Sequence, residues 1–127
     1  MQKAFGRYSP YLYAILRIVS GLLFAQHGAQ KMFGVLGAQQ AAPLMSQFGM
    51  AGVIEFFGGM LIALGLFTSP VAFVSSGEMA WAYFQAHAPR GFWPIQNGGE
   101  VTILYCFVFL YFVSVGSGKF SIDSIRR

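Results

Sequence analysis

The sequence predicts an all-α fold, an integral membrane four-helix bundle of up-down topology with short loops. Three observations predict it. Only 9% of the residues are charged while 56% are hydrophobic, against about 25% charged in an ordinary soluble domain. The apolar residues fall into four runs, each close to the ~20 residues a helix needs to cross hydrocarbon. Glycine is abundant, at 16 residues, as expected where membrane helices pack closely. The length of 127 residues suits one domain, 1–127.

The spans follow in order. The first covers about 10–33, and Pro10 suits a first helical turn. Lys3 and Arg7 ahead of an apolar stretch superficially resemble a signal peptide. Arg17 interrupts the would-be apolar core, however, and no small-residue cleavage site precedes Lys31, so the stretch reads as a retained span. The second span covers about 50–67. Thr68-Ser69-Pro70 then reads as a cap followed by Pro at the first helical position, which leaves almost no loop before the third span, about 70–88. Ala88-Pro89-Arg90-Gly91 ends that span. Asn97-Gly98-Gly99 starts the fourth, about 99–115, with Asn97 as its cap and Glu100 complementing the helix dipole. Short loops make neighbouring helices antiparallel.

Lys3, Arg7, Lys119, Arg126 and Arg127 flank one side of the predicted bundle, and Lys31 and Arg90 the other. The positive-inside rule then predicts both termini in the cytoplasm of a multi-pass inner-membrane protein. Tyr8, Tyr11 and Tyr13 mark the inner interface, Phe92 and Trp93 the outer one. The net charge of +4 is spread along the chain, with no basic run beyond Arg126-Arg127, and does not point to nucleic acid.

The ionisable residues of the spans carry the functional information: Arg17, His27, Lys31, Glu55, Glu78, His87 and Glu100. A charge in hydrocarbon is costly, so such groups face protein, pair, or line a site. Arg17, Gly21, Phe24, Gly28 and Lys31 recur at helical spacing and form one protein-facing stripe. Counted at 1.5 Å per residue, Arg17 lies about 10 Å beyond Pro10 and Glu78 about 12 Å beyond Pro70. That match in depth predicts a buried Arg17–Glu78 pair. His27, Lys31, Glu55 and Glu100 gather near the outer face and predict a polar or ligand pocket there. Two readings stay open for these charges: pairs that fix the bundle's register, and a site.

Specific chemistries narrow the second reading. His27 and His87 alone do not make a haem site. With Glu55 and Glu100 they form a residue set that suits several metals, but no H-x-x-E or E-x-x-H helical pair supports it, and no metal site is assigned. The single cysteine, Cys106, excludes an intrachain disulfide and C-x-x-C chemistry. A proton relay or small-molecule site remains.

The residues also resemble a known family. Arg17-Ile-Val-Ser-Gly21-Leu-Leu-Phe24, followed by His27-Gly28-Ala-Gln-Lys31-Met-Phe33-Gly34, is similar to the first span of the DoxX family. Glu55-Phe-Phe-Gly58-Gly59 with Leu64-Gly65-Leu66-Phe67-Thr68 resembles its second, and Asn97-Gly98-Gly99-Glu100 the start of its fourth. The resemblance covers about residues 10–120. It implies a small four-helix bacterial membrane protein, similar to the membrane subunit of a thiosulfate:quinone oxidoreductase and working beside redox partner proteins. It implies no cofactor bound by a motif of this chain, and a quinone as electron carrier. The quinone head would hydrogen-bond to His27, Lys31 or Glu55, with the tail between helices. A homo-oligomer is left open. The alternatives are a small proton-linked transporter or channel, and a non-enzymatic scaffold for partner proteins.

Overall fold

The computed structural model describes residues 1–37 and 40–126; Arg127, counted above among the flanking cations, lies outside them. Helix α1 is Ser9–Phe33, preceded without a break by a short helix Gln2–Phe5 and a 3-10 turn Gly6–Tyr8. Helix α2 is Gln47–Leu64, and its N-cap Ser46 accepts the Gly49 N–H at 3.0 Å. Helix α3 is Thr68–Ala82, extended by a π-helical turn Tyr83–His87 and a 3-10 turn Ala88–Arg90. Helix α4 is Glu100–Val115. Short helices Pro94–Asn97 and Ile122–Ile125 complete the chain, and there is no strand among the described residues. Two helical stretches, Gln2–Phe33 and Gln47–Leu64, are long and apolar enough to cross a membrane.

The α2–α3 turn differs from the expectation. Gly65 adopts φ 71° and ends α2 with a left-handed C-cap, so the helix stops three residues early. Phe67, not Thr68, caps α3, at φ 54°. The Asp123 carboxylate accepts the Phe67 N–H at 2.9 Å. The signal for this cap lies 56 residues away, which hides it from a local reading.

The helices pack as two intimate pairs. In the α1–α2 pair, glycines bring the backbones together. A Cβ on Gly21 would lie 2.5 Å from the Ala63 nitrogen, and one on Gly59 2.5 Å from the Ala25 nitrogen. Neither is a distance real atoms keep, so only glycine permits the approach. In the α3–α4 pair, Ser76 Oγ donates to the Cys106 carbonyl at 2.7 Å and Ser69 Oγ to the Val113 carbonyl at 3.0 Å. Aromatic side chains fill the space between the pairs. Phe24 meets Phe109 edge-on at 4.7 Å and Tyr105 at 5.4 Å, and Tyr13 meets Phe112 at 5.3 Å.

The exterior reverses the pattern of a water-soluble protein. Leu12, Ile15, Leu16, Val19, Leu22 and Leu23 point outward from α1, while Arg17 is 0% and Glu55 1% exposed. An apolar exterior around buried charges suits a lipid environment.

The expected Arg17–Glu78 pair does not form. Arg17 instead donates to backbone carbonyls: Ile62 at 3.0 Å, Lys119 at 2.8 Å, Phe120 at 2.7 Å, Ser117, and Ala63 at 3.5 Å. The depth count failed for a physical reason. Arg17 lies beside Gly65, so the α2–α3 turn is level with Arg17 and the start of α1 extends past that turn. Glu78, ten residues beyond Thr68, is about 15 Å further along the bundle. Residues 116–126 fold back over this end. Besides the Arg17 bonds, Tyr13 donates to the Gly116 carbonyl at 2.6 Å, Ser117 Oγ donates to the Asp123 carboxylate at 2.6 Å and can accept from the Thr68 hydroxyl at 2.9 Å, and the Asp123 N–H reaches the Gly65 carbonyl at 3.0 Å.

Candidate functional site

A cavity of about 930 Å³ opens inside the bundle at the end remote from the termini. All four helices line it, and each contributes for a local reason. Gly28 and Gly52 let α1 and α2 approach where Lys31, in the last turn of α1, faces Glu55 on α2. Lys31 Nζ donates to both Glu55 oxygens, at 2.6 Å each, and lies 5.0 Å from the centre of the Phe48 ring. This pair and the exposed Arg126–Asp123 contact are the ion pairs among the described residues.

Helix α3 contributes Glu78, Ala82 and Gln85 along one helical stripe, and α4 contributes Val101, Thr102 and Tyr105. Glu78 is the residue whose role the sequence misassigned. Its charged neighbours are Glu55 and Lys31. Its Oε1 is buried without a hydrogen-bond partner. Two carboxyl groups thus stand near one ammonium, and Lys31 donates to Glu55 alone.

His27 lines the cavity from α1, its ring edge-on to Tyr105 at 6.1 Å. His87 lies in the π-helical turn. Its Nδ1 is 3.2 Å from the Asn97 carbonyl and its Nε2 3.3 Å from Thr102 Oγ1. Asn97, 1% exposed, fastens the segment that closes this end. Its amide donates to Tyr83 Oη and to the Gly91 carbonyl, both at 3.0 Å, and its side-chain oxygen accepts the Gly99 N–H at 2.8 Å. The N-cap of α4 is Gly99, and Asn97 organises the loop ahead of it.

Of the four residues expected in one pocket, His27, Lys31 and Glu55 line this cavity and Glu100 does not. Glu100 is exposed and shares a helical face with Leu104, Phe107 and Tyr111, which all point outward. Thr102 and Tyr105 occupy the inward face instead, and Val101 lines the cavity while half exposed. Helical phase along α4 excludes Glu100 from the site and offers Tyr105. Among the described residues no group of three or more His, Cys, Asp and Glu side chains stands ready to hold a metal ion.

The DoxX family model matches residues 12–88. A protein of Haemophilus influenzae, described only as uncharacterised, is 45% identical over 128 aligned positions, which cover 93% of this chain and 92% of that protein. No solved structure matches the chain.

Proposed function

Because the chain belongs to the DoxX family, we propose that it is a multi-pass inner-membrane protein that binds a quinone and serves as a subunit or accessory of a quinone-linked redox system. One observation carries the reading. The orphan carboxyl oxygen of Glu78 stands beside the Lys31–Glu55 pair in a chamber whose other walls are mainly apolar and aromatic, with Gln47, Gln85, Thr102 and the two histidines as further polar groups. A buried polar atom without a partner is costly. Such an atom in a pocket of ligand size marks where a ligand's polar group docks.

The residues fit a quinone head group. Phe24 and Tyr105 offer ring faces for a planar head, and Thr102 and His27 offer polar groups at the rim of the same chamber. A bound quinone supplies the electron transfer for which the chain has no haem, flavin or iron–sulfur motif of its own. The chain's residues position that head and manage hydrogen bonds around it. Glu78 is the group left to exchange a hydrogen bond with a ring oxygen, while Lys31 holds Glu55 in place beside it. A partner protein receives or supplies the electrons. The apolar exterior and the excess of Lys and Arg near the two termini support spanning helices with both termini in the cytoplasm.

Trp81 lines the chamber, and Trp93 lies outside it. In a Trp93→Phe background, Trp81 becomes a fluorescent reporter that a bound quinone quenches. Titration of the detergent-purified protein with a short-tailed benzoquinone is expected to give saturable quenching. Glu78→Gln is expected to raise Kd about tenfold, or ~1.4 kcal/mol, with helical content unchanged. Quenching that never saturates, or an unaltered Kd in Glu78→Gln, would remove the basis of the proposal.

A further inference from the structure

The seam between α2 and α3 differs from the other seams of the bundle. Helices α1 and α2 touch backbone to backbone, and α3 and α4 are tied by serine hydroxyls. The α1–α4 side is shut by Phe24 and His27 against Tyr105. Helices α2 and α3 are joined at the tight Gly65–Phe67 turn, stay close where Gly58 meets Ser75, and part toward Met50 and Trp81. Where they part, the chamber reaches the surface. Met50 and Trp81, about half exposed, are on its lining.

A second, smaller hollow of about 340 Å³ runs down the same seam toward the turn, lined by Val53, Ile54, Phe57, Val71, Val74 and Gly58 among others. No charged side chain lines it. Ile54 belongs to both hollows. Gly58 closes its floor by tight packing: a Cβ there would come within 3.0 Å of Ser75 Oγ and 3.7 Å of Val71. Ile54 is therefore a wall common to the polar chamber and to an apolar groove on the bundle's outer face.

From the chamber's opening on this seam and the groove adjoining it at Ile54, we propose that the α2–α3 seam is both the entrance and the tail site for the chamber's ligand. The ligand class is an amphiphile with a polar ring head and a flexible hydrocarbon tail, which enters sideways from the lipid phase. Its head stops at Glu78, and its tail lies in the groove from Ile54 toward Pro70. This assignment rests on the reading of the chamber as a head-group site. It adds the route, the tail's place and the helices that discriminate tails. A ligand entering from water would need no apolar groove joined to the chamber. A lipid merely coating the bundle would need no junction at Ile54.

The test uses the whole protein in lipid nanodiscs and two photoreactive quinone probes, one with the reactive group on the ring and one with it on an isoprenoid tail. Cross-linked peptides are located by mass spectrometry, with an excess of unlabelled long-tailed quinone to separate specific from bulk-lipid labelling. The ring probe is expected on chamber residues. The tail probe is expected on residues 53–58 and 70–75, with labelling suppressed about tenfold by the competitor, as displacement from a saturable site requires. Val53→Phe and Val74→Phe, which fill the groove without lining the chamber, are expected to cut tail labelling several-fold while ring labelling by a tailless probe persists. Leu104→Phe, on an outward face of α4, is the control for added bulk. Competitor-sensitive ring labelling with tail labels scattered over α1 and α4, or indifferent to both seam variants, overturns the seam assignment alone. Absence of competitor-sensitive ring labelling overturns the chamber reading and the seam assignment together.

Discussion

Arg17 is expected to act as a clamp on the end of the chain, and its removal gives the sharpest test of the architecture. Arg17→Ala withdraws donors from the Ser117, Lys119 and Phe120 carbonyls of the C-terminal segment and from the Ile62 and Ala63 carbonyls that end α2. Hydrogen bonds to a charged donor contribute about 1.5–3 kcal/mol each, and stranded buried carbonyls cost a similar amount. The sum overstates the loss, because residues 116–126 can detach and find water instead. A destabilisation of about 3–5 kcal/mol follows, at the upper end of what single substitutions do. Truncation after Gly116 removes three of the same partners, so the combined change is expected to fall short of the sum by about 2 kcal/mol. Thermal unfolding in detergent measures each corner of this cycle. Trypsin supplies an independent readout, since cleavage after Lys119 is expected to accelerate in Arg17→Ala at temperatures where the helices remain folded. A parallel cycle between Arg17→Ala and Glu78→Gln is expected to be additive within about 0.5 kcal/mol. Strong coupling between Arg17 and Glu78, or unchanged protection of Lys119, would refute the clamp.

Three further outcomes follow from geometry already described. Gly28→Ala places a methyl group into the Phe56 backbone and is expected to abolish the folded state in detergent, whereas Gly77→Ala, which meets nothing within 4 Å, is expected to leave the melting temperature unchanged. Lys31→Met alone strands the buried Glu55 carboxylate, at a cost of roughly 3–5 kcal/mol, and Lys31→Met with Glu55→Leu is expected to recover most of that loss; a double change as damaging as the sum would disprove the pairing. The Asp123 carboxyl is held below the ordinary aspartate range, first by the Ser117 hydroxyl and then by Arg126 and the Phe67 N–H. Its folded form therefore favours the carboxylate, the stabilisation is complete above about pH 4, and it is lost as pH falls from there through the folded value. The melting-temperature gap between wild type and Asp123→Asn is expected to close below that pH.

What was legible in the sequence was whatever acts over one helix. The stripe Arg17, Gly21, Phe24, Gly28 and Lys31 is protein-facing because helical period alone decides it, and the apolar runs marked α1, α2 and α4 to within a few residues. The Lys31–Glu55 contact was within reach because a short connection places both at one end of an antiparallel pair. The partner of Arg17 was not legible. Its acceptors are main-chain carbonyls, which every residue carries and no sequence pattern marks. Glu78 was misassigned because depth was counted from the start of each helix, and those starts are not level. Glu100 was misplaced by reasoning from depth without phase.

The contrast between seams has a mechanical consequence. Pairs in which backbone meets backbone, as at Gly21 and Gly59, have no side chains to rotate and behave as a single stiff plate. The joint between α2 and α3 is held by a three-residue turn and by the Gly58–Ser75 contact at one end, with the chamber between the helices at the other, so the molecule's compliance collects there. The two plates are expected to open like a book whose spine is Gly65–Phe67, and Arg17 binds that spine to the C-terminal segment through the carbonyls of Ile62 and Phe120. The residue most deeply buried at one end thereby sets the stiffness of a gap at the other, some 15 Å away by helical rise.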